Sequence, residues 1–365
     1  MTRRRALLGS ASLGVLAAAI VVLLRTGQPR ETDHMERGGR IRLAVLGDSD
    51  SHGYRDHVLG TRRGGVHHAT TLQWTDVLVR TRGQYFDPGE EGVWGSRAFI
   101  ARARAALGRE AKAPRKADYR WNYAVSGARC STLVSERPWQ TRWLISALRA
   151  ERAAWADGIV VIRIGVNDVG LSRHMDRYAK QGVDADHRAR VARCADEIAA
   201  AARAIRAAHP SVRIVVVGVA DDSSWPVGSV PDRDATQVAR IRDALDLFDD
   251  AVRSAIRSVE GAAFMRDRSW YQDNWPDRDA EGRAVLGARS LGGTVAVTNT
   301  RGDEPHHLSL ADGHAGTVAN GFWARELILF LDQTYGLRVP PLSDAEIAAL
   351  ADPDGAYGIA PPGPR

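Results

Sequence analysis

Apolar runs in this chain are short, rich in β-branched residues and cut off by small polar residues, with amphipathic stretches between them. Leu43-Ala44-Val45-Leu46 stops at Gly47-Asp48-Ser49-Asp50-Ser51-His52, which reads as a buried parallel strand leaving its sheet into tight turn chemistry. Tyr123-Ala124-Val125 predicts a second short strand, ending at Ser126-Gly127-Ala128. Residues 158–164 predict a third, ending in Gly165-Val166-Asn167-Asp168; residues 212–219 predict a fourth and 262–265 a fifth. Helical spacing runs over 71–82, where Trp74, Val77 and Leu78 share a face, and over 97–107. It resumes from Ser131 through 143–155, then covers 185–208, 236–259 and 317–331. Phe86-Asp87-Pro88-Gly89 reads as a turn. Residues 293–300 alternate as an antiparallel excursion, and Pro340-Pro341 opens a tail (341–365) with a disordered Gly/Pro end.

Strands alternating with helices imply an α/β domain over residues 41–340, built on a parallel, helix-sandwiched sheet. Ligands of such sheets sit at the carboxyl ends of the strands. Four polar or glycine signals fall at strand ends or adjoining loops, so they can converge: Gly47-Asp48-Ser49, Ser126-Gly127, Asn167-Asp168 and Asp312-Gly313-His314. Their chemistry is complementary. Ser49 offers a nucleophilic hydroxyl and His314 a base; the Ser49 and Gly127 N–H groups and the Asn167 amide offer donors for an oxyanion. Taken singly, Ser49 also fits a helix cap, Asn167 a closed turn, and Asp168 the N-cap of the next helix. His306 and His307 compete with His314 as base, whereas His67 and His68 read as solvated loop residues. Trp74, Trp225, Trp270 and Trp275 read as packing, with a share in the cleft wall open to the last three.

The four blocks, in this order, resemble those of the SGNH (GDSL-type) serine hydrolase superfamily. The likeness runs from about Arg40 to Leu337, with long insertions. It implies a flavodoxin-like three-layer α/β fold and ester hydrolysis through an acyl-enzyme, without metal or other cofactor. It also implies a catalytic set of Ser49, His314 and Asp312, with an oxyanion hole of Ser49, Gly127 and Asn167. Two departures stand out. Asp312 precedes His314 by two residues where the family has three, which leaves Asp303 or an unassisted His314 as alternatives. The first block continues as Asp50-Ser51-His52, bringing a second histidine near Ser49.

The net charge of +6 and pI near 9.6 raise the question of nucleic acid. The arginines are spread along Ala/Arg helices, without a basic block or zinc-finger spacing, so nucleic acid is set aside as a partner. A basic surface facing anionic envelope polymers accounts for the charge equally well. Arg3-Arg4-Arg5 precede an apolar run from about Ala6 to Leu24, and this resembles a twin-arginine signal with Ala6 in place of a large apolar residue. Residues 1–30 are therefore expected to be an export signal or retained membrane anchor, and 31–40 a linker, with the rest outside the cytoplasm, periplasmic or extracellular. Cys130 and Cys194 read as two separate buried thiols in preference to a bridge.

The expected function is that of an exported serine esterase on carboxylic esters, with an acylated envelope glycan as candidate substrate. Acyl transfer to a glycan acceptor by the same Ser-His pair is the alternative, and a non-catalytic glycan-binding protein a second one. Asp50-Ser51-His52-Gly53 looks like the Asp-x-His opening of metallophosphoesterases, but their Gly-Asn-His-Asp element is missing. A dinucleotide or phosphate loop does not follow the first strand.

Overall fold

The computed structural model describes residues 39–60, 63–221, 223–225, 233–276, 278–279, 281 and 283–361. The expected export segment and residues 31–38 of the linker lie outside the described residues, as do residues 362–365 of the Gly/Pro end.

The strands are β1 (Ile41–Gly47), β2 (Phe86–Asp87), β3 (Glu91–Trp94), β4 (Lys116–Tyr119) and β5 (Ile159–Arg163). They continue with β6 (Arg213–Val217), β7 (Ala262–Met265), β8 (Ala288–Arg289), β9 (Val297–Arg301) and β10 (His307–Ser309). Five form one parallel sheet in the order β2-β1-β5-β6-β7. The helices are α1 (Trp74–Arg82), α2 (Ala98–Ala106), α3 (Gln140–Ala150), α4 (Ser172–Gln181) and α5 (Ala185–Ala208). After them come α6 (Ala235–Ile256), α7 (Arg268–Asn274), α8 (Thr317–Tyr335) and α9 (Asp344–Ala351).

Alternate strand residues serve opposite faces. Leu43, Val45, Ile159, Val161, Val215 and Val217 pack in one core with α1, α8 and α9. Ala44, Leu46, Val160, Ile162, Ile214 and Val216 pack in the other with α3, α5 and α6. Burial on both faces is why these strands read as continuous apolar runs, and each buried valine, leucine or isoleucine contributes roughly 1.5–3 kcal/mol. The result is the expected three-layer α/β architecture.

Several expectations are corrected. Phe86-Asp87 is not a turn but the edge strand β2, paired with Ile41 and Arg42; two residues are too few to show a period. Residues 121–125 take the rest of that β1 edge: Val45 N–H donates to Trp121 O (3.0 Å), Tyr123 N–H to Val45 O (2.7 Å) and Val125 N–H to Gly47 O (3.1 Å). They make one bridge, Val45 with Asn122, rather than the predicted strand. Within 293–300, only β9 is extended, antiparallel to β8 but parallel to β10. The expected tail instead carries α9, and Leu342, Ile347, Ala348 and Ile359 are core residues. Ser343 and Glu346 form a capping box that starts α9.

Cys130 and Cys194 form a disulfide, with Cα atoms 5.1 Å apart, so the reading of two separate thiols is overturned. The bridge ties the segment after Gly127 to the middle of α5. It closes a loop of 64 residues in sequence separation, a span for which cross-linking stabilises by roughly 2–4 kcal/mol. Replacing both cysteines with alanine is expected to lower stability by about that amount in urea titrations, and dithiothreitol to lower the Tm of the wild type alone.

Candidate active site

The chain turns away in opposite directions from β1, to β2 on one side and to β5, β6 and β7 on the other. The carboxyl end of β1 is thus a topological switch point, where such sheets bind ligands. Gly47 is the last residue in the sheet, and a Cβ there would meet the Arg163 carbonyl oxygen at 2.3 Å. The following turn is closed by Asp48: its carbonyl accepts from the N–H groups of Ser51 (3.3 Å) and His52 (3.0 Å), and its Oδ1 from Asp50 N–H (3.0 Å). No helix follows, so Ser49 is not a helix cap; Gln73 caps the next helix, α1. The buried Asp48 carboxyl is held well above the usual carboxylate range by desolvation and then by Asp50.

Residues 125–128 make a β-turn in which Ala128 N–H donates to Val125 O at 3.0 Å. Gly127 sits at its third position with φ +76°, a type II geometry that favours glycine. A Cβ on Gly127 would have nothing within 4 Å, so backbone conformation, not space, calls for glycine. Asn167 lies in the wide helical turn Val166–Gly170 after β5 and donates from Nδ2 to Ala128 O at 2.9 Å. Its amide carries a second N–H. The capping role expected for Asp168 is corrected: Leu171 occupies the N-cap position of α4, without a side-chain hydrogen bond, while Asp168 Oδ2 accepts from Cys130 N–H at 2.9 Å.

His314 lies in the loop between β10 and α8. Its Nδ1 is 3.0 Å from Asp312 Oδ1, but that nitrogen has no aligned hydrogen bond, and the same oxygen accepts from His314 backbone N–H at 3.0 Å. The two-residue spacing thus brings the carboxylate close to the ring but off the N–H axis. Burial opposes ionisation of Asp312, but His314 and the N–H groups of His314 and Gly64 outweigh it and hold the carboxyl at about 2. Asp303, the alternative partner, gives its oxygens to the backbone N–H groups of Val66 (3.0 Å) and Ala311 (2.9 Å). Of the two competing histidines, His307 bonds Thr300 and His306 packs against His307 with its ring tilted by 40°; His67 and His68 are exposed, as expected of solvated loop residues.

Ser49, Gly127, Asn167, Asp312 and His314 line one cavity of about 400 Å³. Val166, Leu171, Met175, Trp225 and Trp270 give it apolar walls; Trp74 and Trp275 are buried core. Trp225 also donates from Nε1 to Gly313 O at 2.9 Å, steadying the His314 loop. Sequence reasoning missed Arg63, Arg163 and Asp267. Arg63 donates to the carbonyls of Ser49 (3.1 Å), His52 (3.0 Å) and Gly53 (3.1 Å). Arg163, at the end of β5, pairs with Asp267 (3.0 Å) and donates to Asp50 O (3.0 Å). A charged residue closing an apolar strand was the signal available for Arg163; for Arg63, in an irregular loop, there was none.

The sequence profile of the GDSL-like lipase/acylhydrolase family matches residues 45–286. The chain belongs to that family. It is accordingly an ester-cleaving hydrolase. The matched span holds Ser49, Gly127 and Asn167 but stops short of Asp312 and His314. No curated protein matches the sequence of this GDSL-type hydrolase. Among solved structures it is similar to an extracellular lipase from Streptomyces rimosus (16% identity, 64% of this chain and 83% of that one, TM-score 0.35). It is also similar to a phospholipase A1 from Streptomyces albidoflavus (16%, 62% and 79%, 0.34) and to a family 3 carbohydrate esterase from Clostridium thermocellum (13%, 82% and 98%, 0.38). Overlap at that level says nothing about substrate.

The second histidine of the first block, His52, is 0% exposed. Its Nε2 is 2.8 Å from Asp56 Oδ2, and its Nδ1 accepts from Ser126 N–H at 3.2 Å. Both nitrogens are taken, so His52 offers neither a metal nor the Ser49 hydroxyl a lone pair. Burial and then Lys116 lower its pKa from 6.5 to about 4. The unfolded chain therefore binds this proton first as pH falls, and the associated stability, complete above about 6.5, is lost towards 4. The stability of the wild type relative to His52→Gln is expected to fall over that interval by up to about 1.4 kcal/mol per pH unit, read from urea titrations at several pH values.

Proposed function

We propose that this GDSL-type hydrolase is an exported serine esterase in which Ser49 is the nucleophile and His314 the base. The observation that carries the reading is that Ser49, Gly127, Asn167, Asp312 and His314 share one cavity. Ser49 Oγ attacks the ester carbonyl while His314 takes its proton and returns it to the departing alcohol. The oxyanion is met by the N–H groups of Ser49 and Gly127 and the second N–H of Asn167. Water then attacks the acyl-enzyme by the same route in reverse. Asp312, off axis, acts on His314 chiefly through charge, favouring the imidazolium as it forms.

Val166, Leu171 and Met175 suit an acyl chain, and Trp225 and Trp270 add aromatic lining of the kind that sugars pack on, which supports an acylated envelope glycan as substrate. Acyl transfer to a sugar hydroxyl is the second reading, favoured by the same two tryptophans. Arg3-Arg4-Arg5 with the apolar run behind them, and the disulfide, support export to an oxidising compartment, with attachment to the membrane through the N-terminal segment if that segment is retained. Among the described residues no helix is long and apolar enough to cross a membrane.

Hydrolysis of p-nitrophenyl acetate is expected to survive a chelator and to vanish in Ser49→Ala with the fold intact by circular dichroism; activity in that variant would overturn the assignment. Asn167→Ala is expected to lower kcat by about 10²–10³. Product analysis with and without a glycan acceptor separates hydrolysis from transfer.

A further inference from the structure

The turn that carries Gly127 is held at three of its four residues. Val125 N–H donates to Gly47 O at the end of β1, Ser126 N–H donates to the His52 ring, and Ala128 O accepts from Asn167 Nδ2. Two of these partners are themselves fixed, one as sheet backbone and one as a residue in the helical turn after β5. The third, His52, is a side chain with a job that neither the nucleophile nor the base requires. Its surroundings specify one protonation state. Asp56 Oδ2 needs a donor from Nε2, and the Ser126 N–H needs a lone pair at Nδ1, so only the neutral Nε2–H tautomer satisfies both. Asp56 is fixed in turn, its Oδ1 accepting from the N–H groups of Val58 (2.8 Å), Leu59 (3.3 Å) and Ala117 (2.9 Å).

We propose that His52 is a positioning residue for the oxyanion hole: anchored by Asp56, it uses Nδ1 to hold Ser126 and so aims the Gly127 N–H at the developing oxyanion. The inference rests on the hydrolase reading above and adds a residue to it. An oxyanion donor acts only if it is aimed before charge develops, because a loop that must reorganise during the reaction gives back what the hydrogen bond supplies. Gly127, with no side chain to pack and a positive φ, depends on its neighbours for that aim. Without the ring, Ser126 N–H faces a buried site with no acceptor, and the turn has a reason to rotate away.

Two substitutions separate the two ring nitrogens. The amide of His52→Asn reaches the position of Nδ1 and can accept from Ser126, but leaves Asp56 without its partner. The amide of His52→Gln reaches the position of Nε2 and keeps the Asp56 contact, but offers Ser126 nothing. His52→Gln is expected to lose roughly 10- to 100-fold in kcat with KM within a few-fold, because the lost interaction belongs to the transition state. His52→Asn is expected to recover most of kcat while losing more in Tm than His52→Gln, because it leaves Oδ2 of the buried Asp56 carboxylate without a donor.

The same order is expected in the rate at which a fluorophosphonate labels Ser49 with loss of fluoride, a step that also develops negative charge on an oxygen in the hole and reports even where a test ester turns over slowly. A His52→Gln enzyme with wild-type kcat and labelling rate would overturn the inference, as would two variants whose activities fall in step with their Tm. Where His52→Asn does not fold, His52→Gln decides alone. Wild-type turnover and its loss in Ser49→Ala test the hydrolase reading separately.

Discussion

The site depends on a loop that has no right to be buried. Residues 47–53 leave the sheet without forming a helix, yet Asp48, Ser51 and His52 are all at most 1% exposed. Buried backbone groups without secondary structure must find partners elsewhere. Here side chains supply them: Gln140 holds both the N–H and the carbonyl of Gly47, and Arg63 and Gln73 hold Ser49 and His52. Asn122 holds the Ser51 carbonyl, Arg163 that of Asp50, and Asp118 the Gly53 N–H. The loop that presents Ser49 is held by five separate stretches of chain, and under the proposed acyl transfer that pre-alignment is what the reaction requires.

Behind that loop lies a charged layer whose value is geometric. Lys116 is buried against Asp118 at 2.9 Å and also donates to Ala124 O, next to the Gly127 turn. Burial favours the neutral forms of both; for Asp118 it is outweighed by Lys116 together with His52 and Lys112, so its carboxyl stays below the usual range, whereas the lysine itself is lowered, chiefly by burial. Such pairs are weak sources of stability, since desolvation offsets most of the attraction. What this one does is join β4, the Ser49 loop and the segment leading into the Gly127 turn through a single buried ion pair. The Trp225 bond to Gly313 and the Asp303 bonds to Val66 and Ala311 do the same for the histidine loop.

Much of this was legible in the chain. β5, β6, β7, α5 and α6 stood out because strands buried on both faces are unbroken apolar runs and long helices keep their period. Ser49 and Asn167 stood out because each follows an apolar strand, His314 because it comes just before an apolar helix, and Gly127 because its block stands in family order between them. The failures share a cause. β2 is two residues long, 121–125 borrows its hydrogen bonds from β1, and α9 is covered by α8; in each case a partner distant in sequence supplies what local pattern lacks. The disulfide was misread for the same reason: 64 positions of chain say nothing about 5.1 Å in space.

By itself, then, the sequence determined which residues could do chemistry and that they would emerge at one edge of a parallel sheet, because periodicity and turn chemistry are local. Only the tertiary structure decided which of them are spoken for. His52 lies three residues from Ser49 in sequence, yet its ring is committed to Asp56 and Ser126, while His314, 265 positions away, lines the same cavity as the serine. A lone pair is available or not according to its neighbours in space, and those are set by how the layers pack.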